Sequence, residues 1–425
     1  MHMASGSGNI PDDLLENIRN RLNTKTDVSR FRAVCKLWRS SIPSFEKNLL
    51  QLPSEVNIAD PDSGYDICGY SFTLVESVVY HLAPPNDDDP QKRGWLINVK
   101  QVGLDQKGEQ HTHHMLHPLS RLFRGQPKSF PKVFNFMESR VFEVAIMYSL
   151  VEYGGEMRGD FKVAASLNLD FPAFMAIDLF GTLYYGELGA DVVDCTNFLL
   201  KLDDEYRDFQ DVIFFKGRFC AVCRDGRAVA VDSCLNTEMI ASPLPNIACL
   251  DHEKKKKLVE SLGELLLVDM YLKGNPSDYT FEIFYAQAHE KQWVKLEAQA
   301  LDDRILVLGD DGCFSLSCMT HTICNGTDGM KDFPGVEGRC IYFHEPHHSK
   351  SYEFHRLRSI LSDIAVYSLD SGRVSRLADF PSSNIIFCPP PTWTWPNMPE
   401  LSCRRYLRFH VELEIPDFGH CSYTH

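Results

Sequence analysis

Phe219-Cys220-Ala221-Val222-Cys223-Arg224-Asp225-Gly226-Arg227-Ala228-Val229-Ala230-Val231 reads as strand, tight turn, strand. An Asp-Gly pair tolerates the positive φ angles that short hairpins need. The flanking runs are apolar at consecutive positions, so neither face of these strands is written for water. Glu264-Leu265-Leu266-Leu267-Val268 has the same character. Sheets buried on both faces fit the stacked blades of a propeller better than a sandwich with one solvated side.

Outward from this stretch the pattern repeats. Strand-like runs are predicted over 71–82, 94–102, 141–151, 174–186, 212–231, 263–272, 279–287, 304–308, 313–318, 340–344, 364–369 and 373–377, separated by Gly, Asp, Asn and Pro. Gly309-Asp310-Asp311-Gly312 and Asp370-Ser371-Gly372-Arg373 predict two more hairpin turns. Roughly 350 residues at about 45 per four-stranded blade predict six to eight blades. Near the end, Leu407, Phe409, Val411, Leu413 and Ile415 alternate with polar neighbours, which predicts a last strand over 406–415 able to close the ring against an N-terminal strand.

The first fifty residues follow a different period. Pro11 suits a first helical position, and Asp12 and Asp13 sit where the positive end of a helix dipole favours carboxylates. Leu14, Ile18 and Leu22 recur at four-residue spacing, widened by Leu15. Thr26 or Asp27 caps a second helix with Val28, Phe31, Cys35 and Trp38 on one side. A unit of about forty residues cannot usually bury enough surface to stand alone, so this one wants a partner.

Ile10-Pro11, Leu14-Leu15, Ile18, Leu22 and Val34-Cys35-Lys36-Leu37-Trp38-Arg39 together resemble an F-box, with Ile10 where most of that family has Leu. The resemblance implies docking onto a Skp-type adaptor, and through it onto cullin and a RING protein. It places the adaptor contact on Ile10, Pro11, Leu14, Leu15, Ile18, Leu22, Val28, Phe31, Val34, Cys35 and Trp38. The expected order is therefore a small all-α F-box followed by a large all-β domain, most simply a β-propeller. Residues 1–8 read as an expression remnant, 9–50 as the F-box, 51–64 as a linker, 65–400 as the propeller and 401–425 as a C-terminal segment.

The body resembles the plant F-box proteins that carry a KIB-type β-propeller. Gly94-Trp95-Leu96-Ile97, His117-Pro118-Leu119-Ser120-Arg121 and the run from Leu258 to Val268 carry the likeness. So do Leu308-Gly309-Asp310-Asp311-Gly312-Cys313, Asp332-Phe333-Pro334-Gly335, Arg339-Cys340-Ile341-Tyr342-Phe343 and Pro389-Pro390-Pro391-Thr392-Trp393. The histidine-rich stretch 343–348 and Ser120-Arg121 depart from the family's habit. The resemblance implies a substrate receptor of a Skp/cullin/F-box ubiquitin ligase and brings no catalytic or ligand motif.

Composition agrees with a non-membrane, non-nucleic-acid protein. Hydrophobic content of 44% and charged content of 24% are ordinary for a globular chain. No apolar run reaches the roughly 18 residues of a membrane span. The first fifty residues hold eight Lys/Arg against five Asp/Glu, so the rest carries −18 of the net −15. Nucleic acid is a poor partner for such a body, and a target protein with a basic surface is the better match. Without a secretory signal the 14 cysteines read as reduced thiols, and nucleus or cytoplasm is the expected compartment.

The candidate chemical groups each have a plainer explanation. Cys220-Ala221-Val222-Cys223 is one pair, not the two of a zinc site, and in a strand its thiols face opposite ways. His111 and His113, beside His114, would share one strand face, but no third metal ligand follows at a recognisable spacing, and His344, His347 and His348 sit in a turn-rich loop. Asp203-Asp204, Asp302-Asp303 and Asp310-Asp311 flank hairpins, where Asp forms turns. Lys254–Lys257 reads as a solvated turn before a strand, and Trp393 and Trp395 as a closing segment packed on the propeller edge. No catalytic residue, metal or cofactor is therefore expected. The rival readings are a propeller enzyme with a His-based metal site and a non-degradative, Skp-bound scaffold.

Overall fold

In the computed structural model the described residues are 38, 54–58, 70–83, 95–102, 112–116, 118–119, 140–152, 161–167, 172–188, 192–197, 208–245, 255–272, 279–317, 338–344 and 364–376. They form five sheets arranged as blades. Blade 1 holds β1 (Ser54–Ile58), β2 (Tyr70–Ala83), β3 (Trp95–Val102), β4 (Thr112–Leu116) and β5 (Arg140–Glu152). The long β2 pairs antiparallel with β5 along one edge and shares its other edge between β1 and β3. Blade 2 is β6 (Lys162–Ser166), β7 (Ala173–Ile177), β8 (Leu183–Glu187) and β9 (Val192–Asn197), and β9 runs parallel to β1. That parallel pair stitches the first two blades together.

Blade 3 is β10 (Phe209–Phe215), β11 (Arg218–Cys223), β12 (Ala228–Val231) and β13 (Thr237–Ala241). Blade 4 is β14 (Lys255–Ser261), β15 (Glu264–Leu272), β16 (Tyr279–Gln287) and β17 (Gln292–Leu296). Both are antiparallel meanders in chain order. Blade 5 holds β18 (Arg304–Leu308), β19 (Cys313–Ser317), β20 (Cys340–His344), β21 (Ile364–Ser368) and β22 (Arg373–Arg376), in the order β19-β18-β20-β21-β22. Its β18 and β20 are parallel, with β19 antiparallel on the other edge of β18.

Five inner strands, β5, β6, β10, β14 and β19, stand side by side around an axis, and β19 returns to lie against β5. Five hydrophobic cores fill the five junctions. Leu74 and Leu150 meet Val163 and Phe174 between blades 1 and 2. Met175 and Tyr185 meet Phe219 and Val229 between blades 2 and 3. Val222 and Ile240 meet Leu267 and Trp293 next. Val268 and Phe281 meet Leu306 and Phe343 between blades 4 and 5. Val79 and Met147 then meet Val307 and Tyr342, which closes the ring. Every blade is sandwiched, which is why its strands are apolar on both sides.

The propeller thus has five blades, not six to eight. Dividing length by about 45 assumes compact blades throughout. Blade 3 is compact, spanning 209–241, but blade 1 stretches over 54–152 and blade 5 over 304–376. Ser54–Ile58, within the stretch expected to be linker, is a paired strand. The strand expected over 406–415 lies outside the described residues, and the ring described closes through β19 and β5.

The expected turns are present. Gly226 has φ +89°, Gly226 N donates to Cys223 O at 2.9 Å, and Cys223 N donates to Arg227 O at 2.8 Å. From blade 4, Trp293 Nε1 donates to Gly226 O at 2.6 Å, so this hairpin tip is also an inter-blade contact. Gly309 N donates to Gly312 O at 3.0 Å, and Gly372 has φ +64°. Two tighter turns are added, one inside the expected run 212–231 and one at the start of the expected run 263–272. Lys216-Gly217 and Leu262-Gly263 both take positive φ at both positions, the pattern of a two-residue hairpin.

The cysteine pair lies as alternation requires. Cys220 is buried in the core between blades 3 and 4, and Cys223 in the core between blades 2 and 3. Burial pushes the Cys220 thiol up to about 11, and burial with the nearby Asp211 carboxylate does the same to Cys313. Thiolate is the nucleophile, so both are inert near neutrality. Alkylation of the native protein at pH 8, read by mass spectrometry, is therefore expected to label exposed Cys234 before Cys220, Cys223, Cys313 or Cys340.

Candidate functional site

The inner strands bring their first residues to one mouth of the central channel. Lys162 opens β6, Asp211 is the third residue of β10, Lys255 and Lys257 open β14, and Cys313 opens β19. Lys162 Nζ donates to Gly309 O at 3.0 Å, tying blade 2 to the β18–β19 turn across the mouth. Buried Asp211 accepts from Val212 N at 3.1 Å through Oδ1 and from Leu258 N at 2.9 Å through Oδ2. Oδ2 thus ties β10 to β14, while Oδ1 accepts from the next amide of its own strand.

Burial pushes the Lys257 ammonium down, but Asp211, with Cys313, Lys162 and Asp310 also alongside, leaves it above its ordinary value. Lys255 is shifted down, first by burial and then by Lys257. The mouth therefore gathers three ammonium groups around the carboxylates of Asp211 and Asp310.

The expectation of a solvated turn over Lys254–Lys257 is corrected here. Lys254 lies outside the described residues, and the next three lysines belong to the innermost strand of blade 4. Strand alternation turns Lys256 away from Lys255 and Lys257. Lys256 is 1% exposed and donates to Asp269 Oδ1 at 2.6 Å, its cross-strand partner on β15.

Beside the mouth stands the β7–β8 turn, Asp178-Leu179-Phe180-Gly181-Thr182. Asp178 Oδ1 accepts from Phe180 N at 2.9 Å and Thr182 N at 2.8 Å, and Tyr184 Oη donates to Oδ2 at 3.2 Å. Gly181 has φ +78°, and a Cβ there would lie 2.6 Å from Asp208 Cα, so only glycine fits. Phe209 N donates to Gly181 O at 3.0 Å, fastening the turn to blade 3. The side chains this turn holds up are apolar and in water: Leu179 is 68% exposed and Phe180 87%.

The opposite end of the channel is polar and tied. Ser261 and Ser315 hydroxyls lie 3.0 Å apart, and Arg304 Nε donates to Ser315 Oγ at 2.7 Å. Asp302 and Asp303 flank β18, and Asp310 and Asp311 form the β18–β19 turn, all in turn positions as expected. Asp310 N donates to Leu119 O at 3.1 Å, and Arg339 Nε bonds both Asp370 oxygens at 2.9 Å. The Pro118-Leu119, Gly309–Cys313 and Arg339-Cys340 stretches are thus parts of the blade 5 frame and its closure.

Of the expected adaptor-binding residues, Trp38 is described, helical and half-buried; Ile10, Pro11, Leu14, Leu15, Ile18, Leu22, Val28, Phe31, Val34 and Cys35 lie outside the described residues. So do His111, Asp203-Asp204, His347-His348, Trp393 and Trp395. His113 falls on β4 and His344 at the end of β20. Among the described residues no group of three or more His, Cys, Asp or Glu could hold a metal ion.

The KIB1-4 beta-propeller model matches residues 71–368, and the F-box domain model matches residues 8–50. The chain is similar to F-box protein SKIP23 of Arabidopsis thaliana, 27% identical over 420 residues, covering 90% of this chain and 94% of that protein. It is similar to F-box protein At2g17036 of the same plant, 27% identical over 419 residues, covering 90% and 93%. A putative F-box/kelch-repeat protein, At5g24040, is 24% identical over 413 residues, covering 91% and 98%. With a matching propeller model over most of the chain and an F-box ahead of it, this chain belongs to the KIB1-4 β-propeller family of plant F-box proteins.

Proposed function

We propose that this protein is the non-catalytic substrate-recognition subunit of a Skp/cullin/F-box ubiquitin ligase. The observation that carries the reading is the pairing of an F-box match over residues 8–50 with a closed propeller behind it. The F-box residues from Ile10 to Trp38 dock on a Skp-type adaptor, which brings cullin and the RING protein. The propeller holds a target protein in the nucleus or cytoplasm. The chemistry is proximity: a tethered target meets the ubiquitin thioester at a raised effective concentration, and the receptor needs no nucleophile for that.

Leu15→Asp tests the docking helix. A carboxylate forced into a dehydrated contact costs several kcal/mol, so adaptor affinity measured by calorimetry is expected to fall by about a hundredfold or more, as a loss near 2.8 kcal/mol requires. Unchanged affinity would remove the F-box assignment. Degradation is tested separately: target half-life lengthens in cells lacking the protein, whereas a Skp-bound scaffold leaves it unchanged.

A further inference from the structure

We propose that β1, the strand directly after the F-box match, is a fixed anchor that pins the F-box to blades 1 and 2 and so sets the distance between adaptor and propeller. The inference rests on the receptor reading for what that distance serves, and adds the segment that holds it.

β1 is paired along both edges. It runs antiparallel to β2, from Ser54 opposite Leu74 to Ile58 opposite Tyr70. It runs parallel to β9, from Glu55 opposite Val192 to Ile58 opposite Cys195. A strand bonded on both sides cannot swing out without leaving backbone groups of two neighbours unpaired. The middle residue adds a second hold. Val56 is 0% exposed, in the core that also contains Leu74 and Leu150 of blade 1 and Val163 and Phe174 of blade 2. Displacing β1 would therefore leave a cavity in that core as well as a gap in the sheet.

The tether to the F-box is short. The F-box match ends at residue 50 and β1 begins at Ser54. Fully extended, the three residues between them span at most about 14 Å. On its other side β1 is joined to β2 through residues 59–69, a longer connection. The covalent path from F-box to blade 1 thus passes through a strand held by its own contacts. Those contacts, rather than the length of the 59–69 connection, fix where the F-box begins. For a receptor the consequence is direct, because effective concentration falls once a tether exceeds the span it must bridge.

Two insertions separate an anchor from a linker. Six Gly-Ser residues are placed between Gln51 and Leu52 in one full-length variant, and between Gly64 and Tyr65 in the other. Such an insert has a root-mean-square span of roughly 13 Å. In the complex with a plant Skp adaptor, single-molecule energy transfer is read between a dye on the adaptor's C-terminus and one on an azide-bearing residue in place of exposed Lys216. The first insertion is expected to broaden the distance distribution by on the order of 10 Å. The second is expected to leave it as in wild type, because β1 still holds. Equal broadening by both insertions, or by neither, overturns the proposal. Hydrogen exchange on the wild-type chain alone gives an answer that needs no adaptor. Amides of Glu55–Ile58 are expected to exchange as slowly as those of Val192–Asn197, the strand they pair with. Unprotected exchange there overturns the anchor. Failure of the wild type to bind the adaptor sinks the receptor reading instead, and the exchange result still decides whether β1 is held.

Discussion

Asp269→Asn is expected to destabilise the protein by about 3–5 kcal/mol, the cost of breaking a buried ion pair and stranding its partner. Lys256 is 1% exposed, and its ammonium meets Asp269 Oδ1 at 2.6 Å across the β14–β15 register. With an amide at 269 the ammonium stays in the same apolar surroundings, beside Leu258 and Leu267, without a counter-charge. The double variant Lys256→Met, Asp269→Leu removes both charges together. Well-packed apolar replacements of such pairs are near neutral or stabilising, so the double variant is expected to recover most of the loss. Thermal unfolding of the two variants beside wild type decides the matter. A single variant as stable as wild type would show that the pair contributes nothing.

Phe343→Ala is expected to cost about 3–5 kcal/mol, the range for deleting a fully buried aromatic ring. Phe343 is 1% exposed at the junction of blades 4 and 5. Its ring centroid lies 5.3 Å from Tyr279 and 4.8 Å from Phe281, both near edge-on, and Phe281 in turn lies 4.8 Å from Tyr367. The cavity would open inside a ring that each junction must help to close, so the midpoint of chemical denaturation should fall sharply. Phe180→Ser removes a ring of the same size from an 87% exposed site and should leave that midpoint in place. Equal loss in both variants would contradict the burial assigned to Phe343.

Much of the propeller was legible because its strands are apolar on consecutive residues. The expected runs 279–287, 304–308 and 340–344 match β16, β18 and β20 end for end. The opposed faces of Cys220 and Cys223 followed from alternation alone. Charge hid what was missed. Lys255-Lys256-Lys257 looks solvated until its register sets Lys256 opposite Asp269, thirteen residues away. Blade number depended on connection lengths, which no local pattern encodes. The run 174–186 concealed the turn that presents Leu179 and Phe180, although Asp178 with Gly181 three residues on is a legible turn signal. The gathering of Lys162, Asp211 and Lys257 was not legible, because each opens or nearly opens a different blade and only closure of the ring brings them together. The F-box, by contrast, rests on sequence: its pattern from Ile10 to Trp38 coincides with the family match over 8–50.

The central claim is that this F-box places a propeller on a ubiquitin ligase. Co-expression of the full chain with a plant Skp adaptor, followed by size exclusion with light scattering, tests it most directly, with Leu15→Asp run beside the wild type. The result expected is a one-to-one complex that the variant fails to form. A wild-type chain that elutes alone, soluble and monodisperse, with the adaptor in a separate peak would contradict it.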